Sequence, residues 1–153
     1  MKISSKTIQT TLLILLLLIT SVTLFIVMSE KNAMQNRVDQ NFVEAISDSM
    51  SGLSKDYSKL SYDEKIKNYY QTIYGLKNTQ NFFHISSYKE KEGMFEALNG
   101  LYIYLLEYDH KNSDYEIEDK FYIYDTIWKI VSQPENEKLT TEFNSFIENK
   151  KKF

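Results

Sequence analysis

Few residues in this chain combine the side-chain types and spacing that chemistry needs. His84 and His110 are the only two histidines, and there is no cysteine. That excludes disulfides, thiolate metal sites and a cysteine nucleophile. A zinc site needs three or four ligands, and no H-x-x-x-H spacing exists here. His84 lies within Phe82-Phe83-His84-Ile85, the setting of a packed or half-exposed histidine, and His110 lies in a polar turn. Asp109, Asn112, Asp114, Glu116, Glu118 and Asp119 form an acidic cluster with the composition of a calcium loop. Lys111 stands where an oxygen ligand belongs and the turn glycine is missing, so the pattern reads as a solvated turn leading into an acidic first helical turn. Glu92 with Glu96, and Glu116 with Lys120, are ordinary one-turn surface spacings. There is no G-x-S-x-G, no P-loop and no dinucleotide fingerprint. We therefore expect no catalysis, no metal and no cofactor.

Aromatic content is the unusual feature, with 12 Tyr, 9 Phe and 1 Trp in 153 residues. Tyrosine offers a large rigid contact area with a polar tip, which suits recognition surfaces. Tyr70 and Tyr74 stand one helical turn apart, beside an apolar stripe, and Tyr102 and Tyr122 flank two further stripes. These four form the candidate aromatic recognition patch. The plainer alternative is that they fill the margins of a small core.

The elements that must carry these residues begin with an apolar anchor. Lys6 and Glu30 bracket residues 7–29, which contain no charge, and Leu12 to Ile19 are all aliphatic. As a helix this stretch runs roughly 34 Å, enough for a hydrocarbon core of about 30 Å. A soluble helix keeps a wet face, and this segment has none. The apolar run is longer than that of a cleaved signal peptide, and Val27-Met28-Ser29 is a poor cleavage site, so an uncleaved signal-anchor is expected. No cysteine follows to take a lipid. Lys2 and Lys6 against Lys31 and Arg37 give a slight bias to a cytoplasmic N-terminus and an extracytoplasmic C-terminal part. The expected division is a short cytoplasmic tail at 1–6, a transmembrane helix at 7–29 and a helical extracytoplasmic domain at 30–153.

From Ser29 onward there are 16 Lys+Arg against 21 Asp+Glu. This acidic balance argues against nucleic acid and against broad docking on anionic lipid. The terminal Lys150-Lys151-Lys152 reads as cations favoured at a helix C-terminus.

Apolar spacing of three to four dominates the remainder, which predicts an all-α domain. The first segment, 30–53, carries Met34, Val38, Phe42, Ala45, Ile46, Met50 and Leu53, and no breaker separates it from the anchor. Ser51-Gly52 ends it and 54–60 is a linker. The second opens on a Ser61…Glu64 capping box. Its stripe is Ile66, Tyr69, Ile73 and Leu76, with an end near Gly75 or Asn78 or beyond Ile85. The third starts at a box-like Ser87…Glu90. It carries Met94, Leu98, Leu101, Leu105 and Tyr108, with Gly93, Ala97, Gly100 and Tyr104 on a second face that lets another helix come close. The fourth starts at Ser113-Asp114-Tyr115-Glu116 with the stripe Ile117, Phe121, Tyr124, Trp128 and Val131. The fifth begins with Pro134 at its first position and buries Leu139, Phe143, Phe146 and Ile147. Short connections favour antiparallel neighbours. The expected fold is a single N-terminal transmembrane helix continuing into a small four- or five-helix antiparallel bundle.

The functional expectation is a membrane-anchored interaction domain at the cell envelope. Its partners would be the lipid bilayer, through the N-terminal helix, and another envelope protein or a peptide. The alternative is a sensing module that holds a small molecule between helices by tyrosines and Trp128 and signals through a partner.

Overall fold

The computed structural model describes residues 5–109 and 115–151. Among them the fold is all-helical, with no strand: α1 (Ser5–Leu53), a 3-10 turn (Tyr57–Lys59), α2 (Tyr62–Phe83), α3 (Glu92–Asp109), α4 (Lys120–Ser132) and α5 (Glu137–Lys151). The chain divides into two compact units, 1–37 and 38–153.

The first unit is the N-terminal part of α1. Its side chains from Ile8 to Met28 are exposed around the whole helix, and its most apolar stretch has a mean hydropathy of 2.8. That length and composition are enough to cross a membrane. Thr20 and Thr23 hydroxyls donate back to the carbonyls of Leu16 and Ile19 at 3.0 and 2.9 Å, so these two hydroxyls are satisfied within the helix. α1 is uninterrupted at residues 29–32, as the lack of a breaker predicts.

The second unit is a bundle whose helices alternate in direction. Phe42 packs on Phe83, and Gly75 lies against Ser49, so α2 runs antiparallel to the C-terminal part of α1. Tyr69 of α2 reaches Leu105 of α3, and Gln80 reaches Asn99, so α3 turns back again. Gly93 faces Thr140, and Gly100 faces Asn144 and Ile147, so α5 runs parallel to α3. Tyr122 meets Phe146 and Asp119 meets Lys150, which sets α4 antiparallel to α5. α3 sits in the middle, touching α2, α4 and α5. Its Met94, Ala97, Leu98, Leu101, Tyr104 and Leu105 are all buried, as expected of a helix with so little wet surface.

The Ser61…Glu64 capping box is present in both directions. Its hydrogen bonds hold the Glu64 carboxyl below its ordinary pKa. α2 runs past Gly75 and Asn78 to Phe83. The predicted face of small residues on α3 is the face that meets α5.

Several starts differ from the sequence reading. α3 begins at Glu92, after turns that occupy Ser86 to Lys91. α4 begins at Lys120 and not at Ser113, because Tyr115 and Asp119 both adopt left-handed backbone (φ 52 and 53), which no helix continues. That conformation costs Tyr115 about 1–2 kcal/mol, while an aspartate such as Asp119 tolerates it more readily. The α4 core stripe is Lys120, Ile123, Ile127 and Ile130, while Phe121, expected inside, is 64 % exposed. Pro134 lies in the turn before α5, whose first turn is instead capped by Asn136 accepting from the Leu139 N–H at 3.2 Å. Met34, expected on the buried stripe of α1, is 70 % exposed.

The α1–α2 crossing leaves no room for a side chain. A Cβ on Gly75 would stand 2.6 Å from the Ser49 Cα, and one on Gly52 would stand 2.6 Å from the Asn68 carbonyl oxygen. Gly100 is different, with Asn144 and Ile147 atoms at 3.9 Å. Two alanine substitutions should therefore act in opposite directions. Gly75→Ala should destabilise the full-length protein in detergent by about 1–3 kcal/mol through overpacking. Gly100→Ala should stabilise it by up to about 1 kcal/mol through helix propensity. Denaturant midpoints of the two variants test this, and equal shifts would refute the reading of the crossing.

Candidate functional site

α2 carries Tyr62, Ile66, Tyr70 and Tyr74 at steps of four, so three tyrosine rings and an isoleucine share one edge of the helix. Tyr74 and Tyr62 are 66 % and 56 % exposed, and Tyr70 is half-buried. Tyr69, next to them, points inward, and its hydroxyl donates to the Leu105 carbonyl. Tyr115 comes from the segment before α4 and closes the group. Its ring lies 5.8, 5.5 and 6.2 Å from those of Tyr62, Tyr69 and Tyr70. The first two contacts are edge-to-face, the arrangement that aromatic quadrupoles favour. Tyr70 and Tyr74 follow at 6.3 Å. Five tyrosines thus form a nest with an exposed rim.

Of the four candidate patch residues, Tyr70 and Tyr74 belong to this nest. Tyr102 lies half-buried on α3 under the Lys77 ammonium, 5.5 Å from its ring centroid. The Gln80–Asn99 and Lys77–Tyr102 contacts put Tyr74 level with exposed Leu106, which extends the apolar edge onto α3. Tyr122 is elsewhere, against Phe146 of α5 at 4.6 Å. Tyr62, Tyr69 and Tyr115 were not among the sequence candidates. Tyr62 was legible from its four-residue step, whereas Tyr115 reaches the nest across the fold with no local signal.

A second constellation had no sequence signal. Lys120 is only 9 % exposed, and its ammonium donates to the Lys55 carbonyl at 2.6 Å. It also stands 4.3 Å from the Tyr57 ring and 5.2 Å from the Phe121 ring. The lysine therefore pins the linker after α1 to the start of α4 through a carbonyl and two aromatic faces. Tyr57 is fully buried with an unpartnered hydroxyl. Burial, with a contribution from Glu116, pushes its phenol up to about 12. In the same linker, hydrogen bonds from Ser58 and Lys59 draw the exposed Asp56 carboxyl down to about 2.

Two surface depressions are polar. One, of about 400 Å³, lies between the starts of α3 and α5 and is lined by carboxylates that include Glu92, Glu96 and Glu137. The other, of about 340 Å³, lies between α1 and α2 near Lys55, Glu64 and Lys67. His84 is exposed, with its ring 5.0 Å from that of Phe95. His110, Asn112 and Asp114 lie outside the described residues, so the calcium-like loop does too, while Glu118 and Asp119 are paired with Lys150. Among the described residues no group of three or more His, Cys, Asp or Glu is placed to hold a metal ion. Trp128 packs against Tyr124 with its indole N–H buried and unpartnered.

No protein-family model, curated protein or solved structure matches this chain.

The linker pin makes a prediction at two pH extremes. A phenol that is harder to ionise in the folded state has no ionisation cost below pH 10, where it is neutral in both states, and the fold loses stability as pH rises from 10 through about 12. Tyr57→Phe should remove this alkaline loss. At pH 7 it should raise stability by about 1 kcal/mol, since the hydroxyl it deletes has no partner. Lys120→Met should instead lower stability at pH 7, because it leaves the Lys55 carbonyl without its donor. Denaturant unfolding across pH 7–12 checks both signs.

Proposed function

We propose that the protein is a membrane-anchored interaction domain of the cell envelope, not an enzyme, and that the tyrosine edge of α2 is its contact surface. The carrying observation is the pair of exposed rings, Tyr62 and Tyr74, on either side of half-buried Tyr70 at the rim of a nest built from further tyrosines. Rigid aromatic rings with polar tips bind a partner at low entropic cost. The two polar depressions described above carry no aromatic lining, and the tyrosine edge lies outside both of them.

The anchor supplies the other half of the proposal. Residues 7–29 act as an uncleaved signal-anchor in the lipid bilayer, with the N-terminus cytoplasmic and the helical domain extracytoplasmic. Tethering confines the domain to a surface and raises its effective concentration toward other membrane proteins. The partner in this reading is another envelope protein or an extended peptide of one. The acidic balance of the domain keeps nucleic acid out of consideration.

The test combines topology with capture. Protease added to intact cells should remove a tag placed after Phe153 while the N-terminal fragment stays in the membrane. A photoreactive residue at position 74 should then crosslink a specific envelope protein, and Tyr70→Ala should reduce that yield at least threefold. A probe at exposed Glu142 of α5 should give none of it. Protection of the tag until lysis would reverse the orientation, and equal capture from positions 74 and 142 would remove the tyrosine edge as the contact surface.

A further inference from the structure

Residues 115–119 form a short strap without regular secondary structure, and its backbone turns left-handed at both ends. Tyr115 and Asp119 are non-glycine residues with φ of 52 and 53. Side chains have to hold such a conformation in place. Three kinds of hold are present. The Tyr115 ring sits among Tyr62, Tyr69 and Tyr70. Ile117 is buried in the core. Lys150 of α5 takes Glu118 and Asp119 together, at 3.2 and 2.6 Å. The third hold is the weakest, because all three charged groups are partly exposed and salt screens pairs of that kind.

What the strap covers matters as much as what holds it. Tyr69 is fully buried, and the ring that covers it from this side is Tyr115. Lifting the strap would leave a ring-sized space bounded by Tyr62, Tyr69 and Tyr70, next to exposed Tyr74. An aromatic side chain of another protein has the shape and quadrupole to refill it with the same edge-to-face contacts. We propose that Tyr115 is a built-in plug, latched by Lys150, and that a partner's aromatic residue takes its place in the nest when the latch releases. The proposal rests on the tyrosine edge being a contact surface. Its test reads the strap alone, so that failure of either can be told apart.

Hydroxyl-radical footprinting of the full-length chain in detergent, read residue by residue by mass spectrometry, reports the cover directly. In Lys150→Met, labelling of Tyr69 and Tyr115 should rise at least threefold over wild type, and Lys150→Arg should restore the wild-type level. Raising salt from 50 to 500 mM should increase Tyr69 labelling in wild type and leave Lys150→Met unchanged. Tyr104 of α3, almost fully buried elsewhere in the core, should stay dark throughout. Unchanged Tyr69 labelling in Lys150→Met overturns the latch. A joint rise of Tyr69 and Tyr104 overturns it too, since that is loosening of the whole bundle. Partner capture from position 74 that survives either result would leave the contact surface standing and the plug rejected.

Discussion

Where α2 crosses α1 the two backbones come together, and the direction of the side chains on α2 follows from that contact. Gly75 faces the Ser49 backbone and Gly52 faces the Asn68 carbonyl, so neither helix can roll without driving a side chain into the other. Three of the hydroxyls near the crossing bond back into their own helices, while the Ser51 hydroxyl accepts from the Gln71 amide of α2 at 3.1 Å. Ser49 donates to the Ile46 carbonyl at 2.8 Å, Thr72 to Asn68 at 3.0 Å and Thr79 to Gly75 at 2.9 Å. The contact at the glycines is therefore steric, and Ser49, Thr72 and Thr79 bring no unpaired hydroxyl into the core. With the roll of α2 fixed, Tyr69 points at α3 and Tyr70 and Tyr74 point out. The tyrosine edge is a geometric consequence of two glycines.

The same end of the bundle collects most of what is unusual. Alternating helices bring the end of α1, the start of α2, the strap, the start of α4 and the end of α5 together. Lys120 and Lys150 both act there, and neither behaves as a surface lysine. Lys120 is buried under two rings and bonded to a carbonyl, while Lys150 bridges two carboxylates that hold its pKa above the ordinary lysine value. The opposite end carries the acidic depression and the Lys91–Glu135 pair.

Much of the architecture was legible. The uncharged stretch, the Ser61…Glu64 box, the small face of α3 and the stripe of α2 each rest on neighbours three or four residues away, which a sequence displays directly. The failures cluster where long-range packing overrides a good local signal. Ser113-Asp114-Tyr115-Glu116 obeys the rule for a helix start, yet the place of the Tyr115 ring in the nest goes with a backbone that cannot begin a helix. In α4 two stripes of the same period interleave. Of the expected stripe, Ile117 and Val131 are buried and Tyr124 and Trp128 are half-buried against the core, but Phe121 is exposed and the fold buries Ile123, Ile127 and Ile130 together with a lysine. Nothing local ranks a lysine above a phenylalanine for burial. Only the Lys55 carbonyl and Tyr57, more than sixty residues earlier, make that choice. Tyr70 and Tyr74 were found for the same reason that Tyr115 was missed: the first two share a helix edge and the third does not.

The helix count has a geometric outcome. Five alternating helices are an odd number, so a chain entering the bundle at Val38 leaves it at the other pole. Lys151 stands beside the strap rather than beside the entry point, a separation of about 20–25 Å for helical runs of this length. A fluorophore attached after the last helix would therefore act as a ruler against one at the entry, and a conformational change confined to the strap pole would be read next to its source.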